Sequence, residues 1–153
     1  MNRYPEPTVS AVVLNSDNKI LLCRSGKWNN QYVIPGGHIE QGERMEDALR
    51  REILEETGLE IYDLQLIGLQ ESIYSDTFEE ARHFIFIDFL CRTDSSVVTL
   101  NDEADDYCWV GLDEIDGLDL GGYTRQFFTE FRKQDQSNYR QVIFYNYYNE
   151  QVR

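Results

Sequence analysis

From residue 37 to residue 59 the chain reads Gly37-His38-Ile39-Glu40-Gln41-Gly42-Glu43-Arg44-Met45-Glu46-Asp47-Ala48-Leu49-Arg50-Arg51-Glu52-Ile53-Leu54-Glu55-Glu56-Thr57-Gly58-Leu59. The spacing predicts a helix over residues 44–57, because Met45, Ala48, Leu49 and Ile53 recur at i, i+3, i+4 and i+8. Gly58 follows as the residue that commonly stops a helix. At 100° per residue, Glu52 and Glu56 fall inside the angular sector of Met45, Ala48 and Leu49, and Glu55 lies on its edge. A solvated acidic face would point away from the apolar stripe; these acids continue it.

Such a helix opposes itself. Like charges three and four residues apart each cost a few tenths of a kcal/mol when exposed, and more as water is withdrawn. The acids also crowd the C-terminal end of the helix, where the macrodipole disfavours negative charge. A hard divalent cation relieves all three penalties. Carboxylate oxygens suit magnesium or manganese, and the stretch holds neither cysteine nor paired histidines to suit zinc.

Outward from this helix the pattern is mixed. Residues 8–14 and 19–23 are β-branched and apolar around the turn Asn15-Ser16-Asp17-Asn18, which predicts a hairpin. A short strand over 31–34 runs into Pro35-Gly36-Gly37, read as the turn that enters the helix. Strands are expected over 60–74, 82–91 and 106–110, a helical turn begins at 112–115, and a second amphipathic helix covers 123–132. Helices interspersed with hairpins, without a regular βαβ repeat, indicate an α+β fold on a mixed sheet. The last segment, 134–153, opens polar and turns aromatic at Phe144, Tyr145, Tyr147 and Tyr148. It is expected as an extension to a domain of residues 1–133, an edge strand by first preference and a surface helix by second, packed on the domain or in a homodimer interface.

Composition narrows the partners. The chain has 153 residues and a net charge of -14, from 28 acidic and 14 basic side chains. A field of that sign disfavours nucleic acid and anionic membrane surfaces, so a small molecule is the expected partner. Cys23, Cys91 and Cys108 are odd in number and form no CxxC pair, as expected of reduced thiols in a cytoplasmic protein. No apolar run approaches the ~20 residues that span a bilayer.

The pattern Gly37, five residues, Glu43, seven residues, then Arg51-Glu52-Ile53-Leu54-Glu55-Glu56-Thr57-Gly58-Leu59 resembles the Nudix box at every fixed position, without a gap. The resemblance extends over residues 8–133: the first hairpin, the Pro35-Gly36-Gly37 entry, and Glu103 ahead of Trp109-Val110 and Asp113-Glu114-Ile115 are all similar to the family. It implies an α/β/α sandwich around a curved mixed sheet, with the box as loop–helix–loop. It implies hydrolysis of a phosphoanhydride bond in a nucleoside-diphosphate-linked substrate with magnesium, for which manganese can substitute. Glu52, Glu55 and Glu56 would be metal ligands, with Glu40 and the Gly37 carbonyl completing the shell. Arg51 would pair with Glu43. The two lie about 80° apart on a continuous helix, so Glu43 must fold back from the loop. The base that takes a proton from the attacking water is Glu56 or Glu103.

The substrate is less sharply indicated. Residues 60–80 contain no proline, unlike the family's ADP-ribose hydrolases, while the run 100–110 (LNDEADDYCWV) is similar to small MutT-like nucleoside triphosphatases. A nucleoside triphosphate cleaved to monophosphate and pyrophosphate is the first expectation. ADP-ribose or another nucleotide sugar is the second, and a non-catalytic nucleotide sensor is the alternative of another class. Arg24, Trp28 and Arg82 are the candidate contacts to phosphate or base.

Overall fold

In a computed structural model, the description of which covers residues 3–75 and 80–133, the sheet is organised around strand β1 (Glu6–Leu14). Its sequence EPTVSAVVL is buried on both faces from Thr8 to Val13, as a central strand must be. The remaining elements in chain order are β2 (Ile20–Ser25), β3 (Gln31–Val33), β4 (Gly36–His38), α1 (Met45–Thr57), β5 (Tyr62–Ile73), β6 (His83–Arg92), β7 (Asp106–Val110) and α2 (Gly122–Lys133). The sheet is mixed, in the order β3-β2-β1-β6-β5, with β4 paired to β1 and β7 to β2. The β1–β6 pair is parallel over its whole length, from Glu6↔Phe84 to Leu14↔Arg92. The expected edge strand or helix in the 134–153 extension lies outside the described residues.

Alternation along β1 sends its side chains to two cores. Val9, Ala11 and Val13 pack with Leu21, Cys23, Phe89 and Cys91 under Ala48, Leu49 and Ile53 of α1. Val12 joins Ile20, Leu22, Ile34 and Val110 under Phe127 and Phe128 of α2. One helix on each face makes the α+β sandwich expected from the sequence. Each fully buried Leu, Ile or Phe contributes roughly 1.5–3 kcal/mol to such packing.

Two local expectations change. The hairpin of β1 and β2 does form around the Asn15 side chain, whose Oδ1 accepts from the backbone N–H groups of Asp17 and Lys19. It nevertheless pairs only at Leu14↔Ile20. Beyond that point β2 bonds to β7 over Ile20–Arg24 and to β3, while β1 bonds to β4. The two strands splay because each has a better-matched partner, and the split between them opens a cleft. Second, Gly36 and Gly37 form not a turn but the strand β4, antiparallel to β1 with Val9↔Gly37 in register. Glycine is required at 36: a Cβ there would lie 2.0 Å from the Val9 carbonyl oxygen.

Candidate functional site: an acidic cluster at the end of an aromatic cleft

Helix α1 begins after Arg44 and ends where Gly58, at φ 72°, turns its N–H back to the Leu54 carbonyl. This brings the acidic end of the helix under β4. A Cβ on Gly37 would sit 2.3 Å from the Glu52 carboxyl carbon, so a glycine at that position is what lets the carboxylate lie against the strand. Glu52 and Glu56 then meet Glu103, which arrives from the loop before β7. One oxygen from each of the three carboxyls lies within 4.8 Å of the others.

The electrostatics of the cluster are unfavourable in the protein alone. Glu56 is 8% exposed, and burial first, then the adjacent Glu103 carboxyl, push it up to about 9. Burial likewise raises Glu52, although the Arg51 guanidinium opposes the shift. The cluster offers only hard oxygen donors, which fits a magnesium-like ion and not a thiophilic one.

Arg51 fastens the loop to the helix. Its Nε and Nη2 donate to the two Glu43 carboxylate oxygens at 2.7 and 3.0 Å, a bidentate fork, and Nη2 also donates to the His38 carbonyl. Glu43 lies in the loop ahead of α1, as the phase of the two residues demands, and its Oε2 accepts the Glu40 backbone N–H. Nη1 donates to Glu52 at 2.9 Å. Glu40 and Glu55 are on the outer side of this network: both are exposed, Glu55 lies 3.4 Å and Glu40 4.0 Å from Arg51 Nη1, and neither joins the three-carboxyl group.

The cleft runs from these acids into the split sheet, with a volume of about 190 Å³. Glu56, Glu103 and Gly37 line one end of it; Trp28, Phe84, Phe86 and Tyr123 line the other. Tyr123 stacks on Phe86 with ring centroids 4.6 Å apart, and Trp28 lies 5.1 Å from Tyr123. Arg82 stands at the wall with its guanidinium 4.5 Å from the centre of the Phe84 ring, its Nε and Nη2 donating to the two Glu6 carboxylate oxygens at 3.0 and 2.6 Å. The Arg82 guanidinium, with help from His38, holds the Glu6 carboxyl down at about 2 against the opposing effect of burial.

Of the three contacts expected from sequence, Trp28 and Arg82 line the cleft and Arg24 does not. Strand alternation explains the correction: Cys23 and Ser25 face the cleft, so Arg24 between them points elsewhere, its Nε on Asp105 at 3.0 Å and its guanidinium over Tyr32. Sequence reasoning did not single out Lys27, Thr8, Phe84, Phe86 or Tyr123 as cleft residues. For Phe84 and Phe86 the signal was present, since HFIFIDFL alternates with period two and places both rings on one face.

Comparison with known proteins agrees with this arrangement. The NUDIX domain model matches residues 4–131. Nucleoside triphosphatase NudI from Enterobacter sp. (strain 638) is 35% identical over 133 residues, covering 80% of this chain and 94% of its own. The NudI of Escherichia coli (strain K12) is 32% identical over 129 residues, covering 78% and 92%. Among solved structures, the MutT protein of Methanosarcina mazei Go1 superposes with a TM-score of 0.71 at 27% identity, over 89% of this chain and 99% of that one. The NUDIX domain of Shewanella oneidensis NrtR, solved with ADP ribose, shares the fold at a TM-score of 0.70 and 17% identity, over 86% and 89%. With an unbroken box on α1 and a family match along nearly the whole described chain, this protein belongs to the Nudix family and is a hydrolase of phosphoanhydrides.

Proposed function

We propose that the protein is a magnesium-dependent pyrophosphohydrolase that converts a nucleoside triphosphate to the monophosphate and pyrophosphate. The observation that carries this reading is a cleft lined by two of the three converging carboxyls, Glu56 and Glu103, together with the rings of Trp28, Phe84, Phe86 and Tyr123. The likeness to NudI nucleoside triphosphatases, which extends over most of both chains, supports the same substrate class.

Glu52 and Glu56 are the residues assigned to hold the ion, with Glu55, Glu40 and the Gly37 carbonyl, on the same loop and helix, assigned to complete its shell directly or through water. When bound, a divalent ion neutralises charge on the phosphate oxygens and lowers the pKa of the attacking water. The chain's own contribution is positional. Arg51 fixes Glu52 and the loop together, so that the carboxyl stays under β4. Glu103 is assigned the water's proton, because it is an exposed loop acid beside the enclosed Glu56 and can exchange that proton with solvent. Trp28, Phe84, Phe86 and Tyr123 receive the base, and Lys27, at the cleft wall, offsets phosphate charge. The three unpaired cysteines suit a reducing compartment such as the cytoplasm.

The test is a panel of nucleoside triphosphates, nucleotide sugars and ADP-ribose, read by product identity with and without chelator. Release of pyrophosphate and monophosphate from a triphosphate, lost in chelator and restored by magnesium, is expected. Preferential cleavage of ADP-ribose would transfer the assignment to the nucleotide-sugar class, and tight nucleotide binding without any turnover would make the domain a sensor.

A further inference from the structure

Strand β5 is an edge of the sheet: among the described residues it bonds to β6 and to no other strand. Native edges are usually guarded by a lysine, a proline or a bulge that spoils pairing with another strand. The irregularities of β5 come early, between Tyr62 and Gln65 and between Leu66 and Gly68. From Gly68 to Ile73 its register with β6 is regular, and the stretch GLQESI holds no lysine, arginine or proline. The same stretch leaves Leu69 67% and Ile73 56% exposed.

This open edge is apolar on both faces. Leu69 pairs with Ile87, which packs against the α1 core, so Leu69 stands on the α1 side of the sheet. Gly68 stands on the α2 side, since a Cβ there would lie 3.7 Å from the Phe127 ring. On that side β5 and α2 enclose a groove of about 270 Å³, with Ile67, Gln70, Phe127 and Phe131 in its walls. A strand laid along the edge would send alternate side chains to Leu69 and Ile73 on one face and to Phe127 and Phe131 on the other. Such a strand must itself be apolar on both faces.

The chain carries one. Helix α2 ends at Lys133, just past Phe131 in the groove wall, and residues 134–140 can reach roughly 25 Å, about twice the width of a helix. Residues 142–148 then read VIFYNYY, β-branched and aromatic, without charge, glycine or proline. As a strand they would place Val142, Phe144 and Tyr148 on one face and Ile143, Tyr145 and Tyr147 on the other. They lie beyond residues 4–131, where the family match ends. We propose that residues 142–148 dock along the open edge of β5, between Leu69 and the α2 groove, as an added strand. A tether this short gives the segment an effective concentration in about the millimolar range, which favours it over a second copy of the chain.

The test is hydrogen exchange on the full chain, read by mass spectrometry, in the parent and in two single variants on opposite sides of the contact. Leu69→Lys charges the edge at an exposed position, and Tyr145→Asp charges the segment. In the parent, amides of residues 68–73 and 142–148 should both be protected. Each variant should speed exchange in both stretches by about ten-fold or more while β1 and α1 stay unchanged. The unchanged β1 and α1 show that the domain is folded, and should one variant unfold, the other decides. Light scattering across a concentration series should show that protection of β5 does not depend on assembly. Exchange of residues 142–148 at the rate of free peptide in the parent would overturn the proposal, as would a segment indifferent to Leu69→Lys. A dimer in which β5 loses protection on dilution would make a second copy the occupant and overturn it as well.

Discussion

The two ends of the cleft are built on opposite physical terms. The acidic end is made of groups that repel one another: Glu52, Glu56 and Glu103 converge within 4.8 Å, and Glu56 is pushed up to about 9. The aromatic end is made of groups that attract one another, with Tyr123 flat on Phe86 and Trp28 tilted against both Phe86 and Tyr123. The first disfavours the protein alone, and on the reading proposed above a cation would offset it; the second adds stability and needs nothing. Function and stability are thus coupled with opposite sign at two parts of one cleft.

The largest effect should come from breaking the acidic end. Glu56→Gln should cut turnover by ~10²–10⁴-fold, yet the variant should melt no lower than the parent in chelator, because a buried carboxyl has been replaced by a neutral isostere. Kinetics at saturating magnesium and a thermal melt in chelator measure both parts. A Glu56→Gln variant with near-normal rate, or one that melts well below the parent, would remove the residue from this role.

Next in size is the loop acid. Glu103→Gln should lower kcat and kcat/KM together, by roughly 10²-fold, with KM nearly unchanged, since proton acceptance matters only in the transition state. Asp102→Asn, one residue away on the same exposed loop, is the control and should be nearly silent. If the two variants behave alike, Glu56 must take the proton instead.

The aromatic end should respond in the other direction. Trp28→Ala should raise KM with little change in kcat, because stacking holds ground state and transition state equally. It should also lower stability by about 2–4 kcal/mol, the usual size for truncating a largely enclosed aromatic. Urea denaturation and steady-state kinetics on the same preparation test this. A fall in kcat at constant KM would mean that the ring orients the reaction rather than holding the base.

How visible each end was in the sequence follows from the same contrast. The acidic end is mostly local: Glu52, Glu55 and Glu56 share one helix, so period 3.6 places them before any fold is known, and the fixed Gly37–Leu59 spacing identifies the family. The aromatic end is assembled from a loop before β3, from β6 and from the start of α2. Its members are separated by as much as 95 positions, from Trp28 to Tyr123, and no local period joins them. Strand alternation alone would have assigned Arg24 to the back of β2, but only with the register known. The splay of β1 from β2 was not legible either, because it depends on β2 finding β7, some 80 residues later.

The smallest effect concerns Asp88, which belongs to neither end but lies between the cleft wall and α2. Its carboxyl is fully buried, with Oδ2 accepting from the Gln70 amide at 2.8 Å, the Ser10 hydroxyl beside it and the Tyr123 phenol nearby. Burial pushes it up to about 6 from 3.8, outweighing the two hydrogen bonds. Below about pH 4 the carboxyl is protonated whether the chain is folded or not, so it carries no penalty. As the pH rises from about 4 to about 6 the unfolded chain releases the proton and the folded chain keeps it, so stability falls; above about 6 the loss is complete, on the order of 2–3 kcal/mol. Asp88→Asn removes that titration. The asparagine can keep its oxygen toward Gln70, and its amide nitrogen takes the place of Oδ1, which has no hydrogen-bond partner among the described residues. The variant should therefore melt higher than the parent at pH 8, by roughly 4–12 °C, and no higher at pH 4. A difference in Tm that is the same at both pH values would show that Asp88 is held by packing and not by its charge.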